Sequence, residues 1–185
     1  MTHHLAKGGN CVLAAAGEPG FATAVGITWN DPAADLDVVA LLCGPDKRVL
    51  SDAHFLFWNQ PTCPQHQVFL RWVNRGEPAP NVDRAQVLFN LADLDPAIEH
   101  IYLALSTIAE DCVIASGGGF SVSVHNLTQG VEHAAYRSVT QYARETCAIF
   151  AEVYRYKGQW KLRIHDAGYS AGLAAFGQDY GVNID

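Results

Sequence analysis

The run AIFAEVYRYKGQWKLRIH, residues 148–165, contains two apolar-rich segments joined by Lys157-Gly158. This dipeptide predicts a hairpin turn, so the segments are interpreted as two paired strands. Short apolar runs separated by turn residues recur along the whole chain. This pattern indicates a β-sandwich or barrel rather than alternating strands and helices. The candidate strands are Cys11–Ala15, Ala22–Trp29, Leu36–Cys43, Phe55–Trp58, Val68–Val73, Arg84–Asn90, Ile101–Thr107, Phe120–Asn126, Ala148–Tyr156 and Gln159–His165.

Helical patterns are scarce. Asp95-Pro96-Ala97-Ile98 predicts a single turn with Asp95 as its N-cap. Residues 170–176 predict a helix near the C-terminus, capped by Ser170 and ending near Gly181. No internal repeat or long linker divides the sequence, so we interpret residues 1–185 as a single domain of the all-β class with one or two short helices.

The composition limits the classes of function. Hydrophobic residues make up 49% of the 185 residues, which is enough for a packed core, and the formal net charge is −7. An acidic balance argues against nucleic-acid binding, which needs a basic face. The first residues lack the apolar core of a signal peptide, and no apolar run approaches the ~20 residues that span a bilayer. We therefore expect a cytoplasmic protein with no direct membrane insertion.

The segment Asn30–Asp37 is the most acidic feature that borders a strand. If the strand begins near Asp35, Asp35 and Asp37 share one face, and Asp31 can fold back from the preceding turn. Paired carboxylates suit a hard divalent cation such as Ca²⁺. The alternative is that Asp31 caps the turn while Asp35 and Asp37 are solvated at the start of the strand.

Four more residues could add oxygen ligands. Asn59 follows an aromatic strand, and a loop rich in proline, residues 74–83, carries Asn74, Glu77 and Asp83. No nucleophile with an adjacent base and no cofactor motif is evident, since the run 116–119 lacks the Lys-Ser/Thr ending of a phosphate-binding loop. We therefore expect no catalytic activity.

Several short motifs follow one another along almost the whole chain. They are LAKGGN (5–10), VGITWND (25–31), DLD (35–37), VLSDAHFLFWN (49–59), NRG (74–76), FAEVYR (150–155), QWKLR (159–163) and the glycine- and tyrosine-containing stretch 168–182. Their order resembles the TerD family of tellurite-resistance and general stress proteins.

The resemblance implies a two-sheet β-sandwich in a cytoplasmic stress-response system. It also implies calcium binding at the Asp-x-Asp strand start and neighbouring acidic loops. The partners would be other proteins of the same stress-resistance system, some of them membrane-associated. The resemblance implies no catalysis, and it leaves the oligomeric state open.

The family pattern is only partly kept. Asp35, Asp37 and Asn59 match it, and so does Asn74, but His54 replaces an aspartate and the segment before Asp83 lacks the family's consecutive acids. Because the number of charged ligands sets calcium affinity, we expect at most one weakened site. Its donors would be Asp35 and Asp37, joined by Asn74, Glu77 or Asp83.

The competing hypothesis is a metal-free module that recognises a protein partner. Trp58 or Trp72 near the loops would then anchor the partner, since tryptophan is enriched at interface hot spots. The alternative interpretation of these two residues is that both belong to the core.

Overall fold

The computed structural model describes residues 2–73, 82–109 and 112–183. Within these ranges the chain forms twelve strands and one α-helix. In chain order they are β1 (His3–His4), β2 (Asn10–Ala14), β3 (Ala22–Trp29), β4 (Leu36–Cys43), β5 (Phe55–Leu56), β6 (Val68–Trp72), β7 (Ala85–Asn90), β8 (His100–Thr107), β9 (Phe120–Asn126), β10 (Val131–Arg137), β11 (Cys147–Tyr156), β12 (Gln159–Tyr169) and α1 (Gly172–Asp179).

The described strands form two six-stranded sheets. Sheet A has the order β1-β10-β9-β3-β7-β6, and sheet B has the order β2-β12-β11-β8-β4-β5. The larger hydrophobic cluster contains inward-facing residues of both sheets, such as Val25 and Ile27 of β3 with Leu103 and Leu105 of β8. The expected β-sandwich is therefore confirmed.

Strand β4 is buried along its entire length because both of its faces are covered. Leu36, Val38, Ala40 and Leu42 belong to the core between the sheets. The alternate residues Val39, Leu41 and Cys43 belong to a second, smaller core that includes Phe176 of α1. A strand covered on both faces has a nearly continuous apolar sequence, which is what residues 38–43 show.

The predicted strands agree closely with the structure where apolar residues are consecutive or alternate regularly with polar ones. Ala22–Trp29, Leu36–Cys43 and Phe120–Asn126 have the predicted bounds, and the Lys157-Gly158 turn joins β11 to β12 with positive φ at both residues. Strands β1 and β10 were not predicted from the sequence. The first two residues of β10 (Val131–Arg137) are exposed and the third is half-exposed, so its sequence lacks an apolar run.

The predicted single turn at Asp95 is confirmed, because the Ala97 N–H donates a hydrogen bond to Asp95 Oδ1 (2.8 Å). The other helix prediction needs correction. The C-terminal helix begins at Gly172, without the predicted Ser170 cap. A short 3₁₀ helix at Ile114–Gly117 was not predicted. Within the described part of the chain, no helix has the length and apolar character needed to cross a membrane.

Candidate functional site

Asp31 lies in the turn that leads from β3 to β4. Its N–H donates to the Gly117 carbonyl (2.9 Å), and its Oδ1 accepts a hydrogen bond from the Ala33 N–H (2.8 Å). A side chain that accepts from the backbone two residues ahead is the usual way in which aspartate stabilises a turn. Asp31 therefore has the capping role that the alternative interpretation gave it, and it remains exposed.

Asp35 and Asp37 have different environments although they are two residues apart. Asp35 is exposed, and none of the described residues donates a hydrogen bond to its carboxylate. Asp37 is only 5% exposed. Its Oδ1 accepts hydrogen bonds from the Val38 N–H (2.8 Å) and from Trp72 Nε1 (2.7 Å), and the second bond links sheet B to sheet A. The alternative interpretation, in which both carboxylates are solvated at the start of the strand, is therefore correct for Asp35 and wrong for Asp37.

Both aspartates line a cavity of about 470 Å³ at the end of the sandwich where β4 begins. Trp29 and Trp72 are among its apolar lining residues, and Arg84 lines it too. We call Asp31, Asp35 and Asp37 the acidic end. The three carboxylates were predicted to lie near one another, and the structure brings two of them, Asp35 and Asp37, to one cavity.

Arg84 is the residue of this site that the sequence analysis missed. It is 4% exposed, its Nε donates to the Trp29 carbonyl (2.7 Å), and its guanidinium carbon lies 5.3 Å from the Trp29 ring centroid. Its Nη2 is buried without a hydrogen-bond partner among the described residues. Burial lowers the pKa of Arg84, while the negative charge of Asp31 opposes that shift. Its position at the start of the predicted strand Arg84–Asn90 was the only sequence signal for this residue.

The structure places Asp83 elsewhere. Its carboxylate accepts hydrogen bonds from Ser123 Oγ (2.8 Å) and Gln86 Nε2 (2.7 Å), and it lies 3.6 Å from His125 Nε2. Burial raises the pKa of Asp83, but the nearby imidazole of His125 and the hydrogen bonds from Gln86 and Ser123 lower it overall. The Asp83 carboxylate packs directly against Gly26. A Cβ at residue 26 would lie only 2.1 Å from Asp83 Cγ, so the contact requires glycine. Asp83 lines a separate cavity of about 820 Å³ along sheet A. Its hydrogen-bond donors, Ser123 and Gln86, would compete with a cation for its carboxylate oxygens.

The remaining predicted ligands do not join the acidic end. Asn59 lies in an exposed turn between the bridged residues Phe57 and Gln60, and it does not line the cavity of Asp35 and Asp37. Asn74 and Glu77 lie outside the described residues. Among the residues that are described, no group of three or more His, Cys, Asp or Glu side chains is arranged to hold a metal ion.

The tryptophans also differ from each other. Trp58 is 60% exposed, in the same turn as Asn59, so the interpretation that both tryptophans belong to the core is wrong for Trp58. Trp72 is half-buried and packs against the main core.

Two further carboxylates, which the sequence analysis did not single out, are saturated with donors. Asp166 is completely buried, and it accepts hydrogen bonds from the hydroxyl groups of Tyr136, Ser138, Thr140 and Tyr142. Burial raises the pKa of Asp166, and these four bonds outweigh burial and lower it.

Glu152 on β11 is bound by two imidazoles. His100 Nδ1 lies 2.7 Å from Oε1, and His165 Nε2 lies 2.8 Å from Oε2. Burial raises the pKa of Glu152, but the hydrogen bonds from the two histidines hold it well below its ordinary value. The three residues are contributed by neighbouring strands of sheet B, so this cluster forms only when the sheet is assembled.

The buried cysteines are poor nucleophiles. Burial raises the pKa of Cys11 to about 11 and the pKa values of Cys43 and Cys147 to about 12. Cys63 is also buried, and Cys112 is half-buried. Because the thiolate is the reactive form, Cys11, Cys43 and Cys147 are expected to be inert core residues at neutral pH.

The fold and the acidic end define a β-sandwich with carboxylates at the start of β4, a strand that is buried on both faces. The TerD domain family model matches residues 1–180, and the chain therefore belongs to the TerD family. The predicted family is confirmed.

Two relatives align along their whole length. The tellurium resistance protein TerD of Serratia marcescens is 28% identical over 191 residues, which cover 99% of each chain. General stress protein 16U of Bacillus subtilis is 27% identical over 197 residues, with complete coverage of both chains.

Solved structures show the same fold at lower identity. A structure described as a homologue of telluride resistance protein (TerD) from Streptomyces coelicolor A3(2) superposes with a TM-score of 0.62 at 17% identity. The match covers 85% of this chain and 95% of that one.

Proposed function

We propose that this TerD-family protein contributes to resistance against tellurite and related chemical stress in the cytoplasm by binding one calcium ion weakly at the acidic end. The observation that carries the proposal is the exposed Asp35 carboxylate, to which no described residue donates and which lines the same cavity as Asp37. The relatives named for tellurium resistance and general stress support the biological role. The protein acts by binding, together with other proteins of the stress system, rather than by catalysis.

Three features of the site make the proposed affinity low. Oδ1 of Asp37 already accepts two hydrogen bonds, and Asp83 is committed to Ser123 and Gln86. The guanidinium of Arg84 adds a positive charge to the lining of the cavity. Since Ca²⁺ affinity depends on the number of charged ligands, a dissociation constant of about 10⁻⁴–10⁻³ M is expected.

Calorimetric titration with Ca²⁺ tests the proposal directly. Binding heat should appear at millimolar calcium, and the melting temperature should rise, because a ligand that binds only the native state stabilises it by mass action. Asp35→Asn should abolish both signals. The matched control is Glu18→Gln, which removes one exposed negative charge far from the cavity in sequence. The absence of heat and of a thermal shift with the wild-type protein would refute the calcium site.

The second candidate function is a metal-free module that binds a protein partner. The exposure of Trp58 (60%) favours it, because a large exposed indole is a ready interface anchor. Asp35→Asn/Asp37→Asn and Trp58→Ala separate the two functions in a tellurite-resistance assay in cells. Loss of resistance with the aspartate pair alone supports the calcium site. Loss with Trp58→Ala alone, and partner binding that survives a chelator, supports the module.

A further inference from the structure

Basic and aromatic side chains converge on the hairpin formed by β11 and β12. Lys157 Nζ and Lys161 Nζ lie 5.3 Å and 5.1 Å from the ring centroid of Tyr156, and the guanidinium carbon of Arg163 lies 5.1 Å from that of Tyr154. We call these five residues the basic strip. Such cation–π contacts hold flexible cations in place while their remaining N–H groups stay available.

The positive charges of the basic strip are not neutralised within the described chain. All ion pairs among the described residues are made by histidines, so no described lysine or arginine pairs with a carboxylate. Glu152, the acid that faces Arg163 across the strand pair, is already bound by His100 and His165. Two ammonium groups that share the Tyr156 ring repel each other, and an external anion would relieve this repulsion.

The spacing of the cations matches an extended chain. Lys161 and Arg163 are two residues apart on β12, so their side chains leave the same face of sheet B about 7 Å apart. Acidic residues at alternate positions of an extended peptide have the same spacing. Val12 of edge strand β2 pairs with Lys161 in register and is exposed, which adds an apolar contact beside the charges.

We infer that the basic strip is a docking surface for an acidic, extended segment of a partner protein. The net charge of −7 repels long polyanions, whereas a short segment senses only charges within the Debye length of about 8 Å at physiological salt. The tyrosine rings already contact cations, so they are poor platforms for the base stacking that single-stranded nucleic acid requires. The surface involves none of the residues of the acidic end, and it can fail or succeed independently of calcium binding.

Fluorescence anisotropy with a labelled Glu-Thr repeat peptide tests the inference on the full chain. Lys161→Glu/Arg163→Glu should weaken binding about tenfold or more, because two attractive contacts become repulsive. The matched control, Arg137→Glu/Arg144→Glu, changes the net charge by the same amount at two exposed residues outside the strip and should stay within about twofold of wild type. Equal losses in the two variants would overturn the inference, because they would indicate a response to net charge alone.

Three further measurements complete the test. A peptide of the same composition with glutamate at every third position should bind more weakly, and equal binding would overturn the proposed spacing. Tighter binding to phosphatidylserine vesicles or to single-stranded oligo(dT) than to the repeat peptide would overturn the choice of a protein partner.

If the charge-reversed variant does not fold, Lys161→Gln/Arg163→Gln replaces it, with thermal melting as the folding control. Calcium titration should be unchanged in every strip variant that folds.

Discussion

Two aspartates with opposite degrees of burial show what decides the role of a carboxylate in this fold. They are Asp35 of the acidic end and Asp166. Asp35 is exposed and receives no hydrogen bond from the described residues, whereas Asp166 is fully buried and receives bonds from four hydroxyl groups. Burial without donors would push a carboxylic acid towards its neutral form, and the donors prevent this for Asp166. A carboxylate saturated by its own chain stabilises the fold, while one left to solvent is available for a ligand.

The largest effect is expected from the removal of the Asp166 carboxylate. Asp166→Ala leaves four hydroxyl groups in or near the core without their acceptor, and we expect a loss of about 4 kcal/mol in the free energy of unfolding. Asp166→Asn should cost less, about 2 kcal/mol, because asparagine keeps one acceptor and tolerates the positive φ of this residue (49°). Urea unfolding measures both values. The control is Asp35→Asn at an exposed position, where the free energy of unfolding should change by no more than about 0.5 kcal/mol. A smaller loss for Asp166→Ala than for this control would contradict the structural role of Asp166.

The second-largest effect is expected at Glu152, which accepts hydrogen bonds from two imidazole groups. Glu152→Gln should cost about 2 kcal/mol at neutral pH, because the hydrogen bonds from His100 and His165 lose their charged acceptor. The folded pKa of Glu152 is lowered, so its contribution is complete above its ordinary pKa of 4.5 and is lost as the pH falls through the lower folded value. The difference between wild type and variant should therefore shrink in acid.

Urea unfolding at a series of pH values from neutral into the acid range measures this difference. Glu132→Gln, at an exposed position, is the control and should show no comparable pH-dependent difference. A stability difference that stays constant below the ordinary carboxyl pKa would contradict the role assigned to Glu152.

The smallest effect is expected at the acidic end itself. Arg84→Gln removes a positive charge from the cavity lining and should tighten calcium binding about fivefold, equivalent to about 1 kcal/mol of relieved repulsion. Arg84→Lys keeps the charge and should leave the affinity weak. Calorimetric titration measures both variants, with their melting temperatures as the folding control. Equal calcium affinity in the two variants would show that Arg84 does not oppose the cation.

Apolar patterns within single strands were sufficient to predict much of the fold. Leu36–Cys43 was predicted with its observed bounds because its residues are almost all apolar, and Phe120–Asn126 because its apolar residues alternate with polar ones. Strand β10 was missed because its exposed first residues carry no such pattern. A two-residue strand such as His3–His4 depends on its pairing with β10 and has no signal of its own.

The candidate site was predicted less completely. Asp35 and Asp37 were identified because they are close in sequence and precede a buried strand. Asp83 was assigned to the same site because it closes the adjacent loop, but one of its donors, Ser123, is 40 residues away in the sequence. Arg84 was missed because nothing in an isolated arginine shows that the fold will bury it against Trp29.

The family, the β-class and the acidic start of β4 follow from the amino-acid sequence, since they depend on patterns between neighbouring residues. Which carboxylates are saturated depends on tertiary contacts, because the donors of Asp166 and Glu152 come from residues distant in the chain. Tertiary contacts also place Arg84 in the same cavity as Asp35 and leave the cations of the basic strip without an acidic partner among the described residues. Hydrogen bonds and charges act over a few ångströms in space, and the folded chain alone determines which residues come that close.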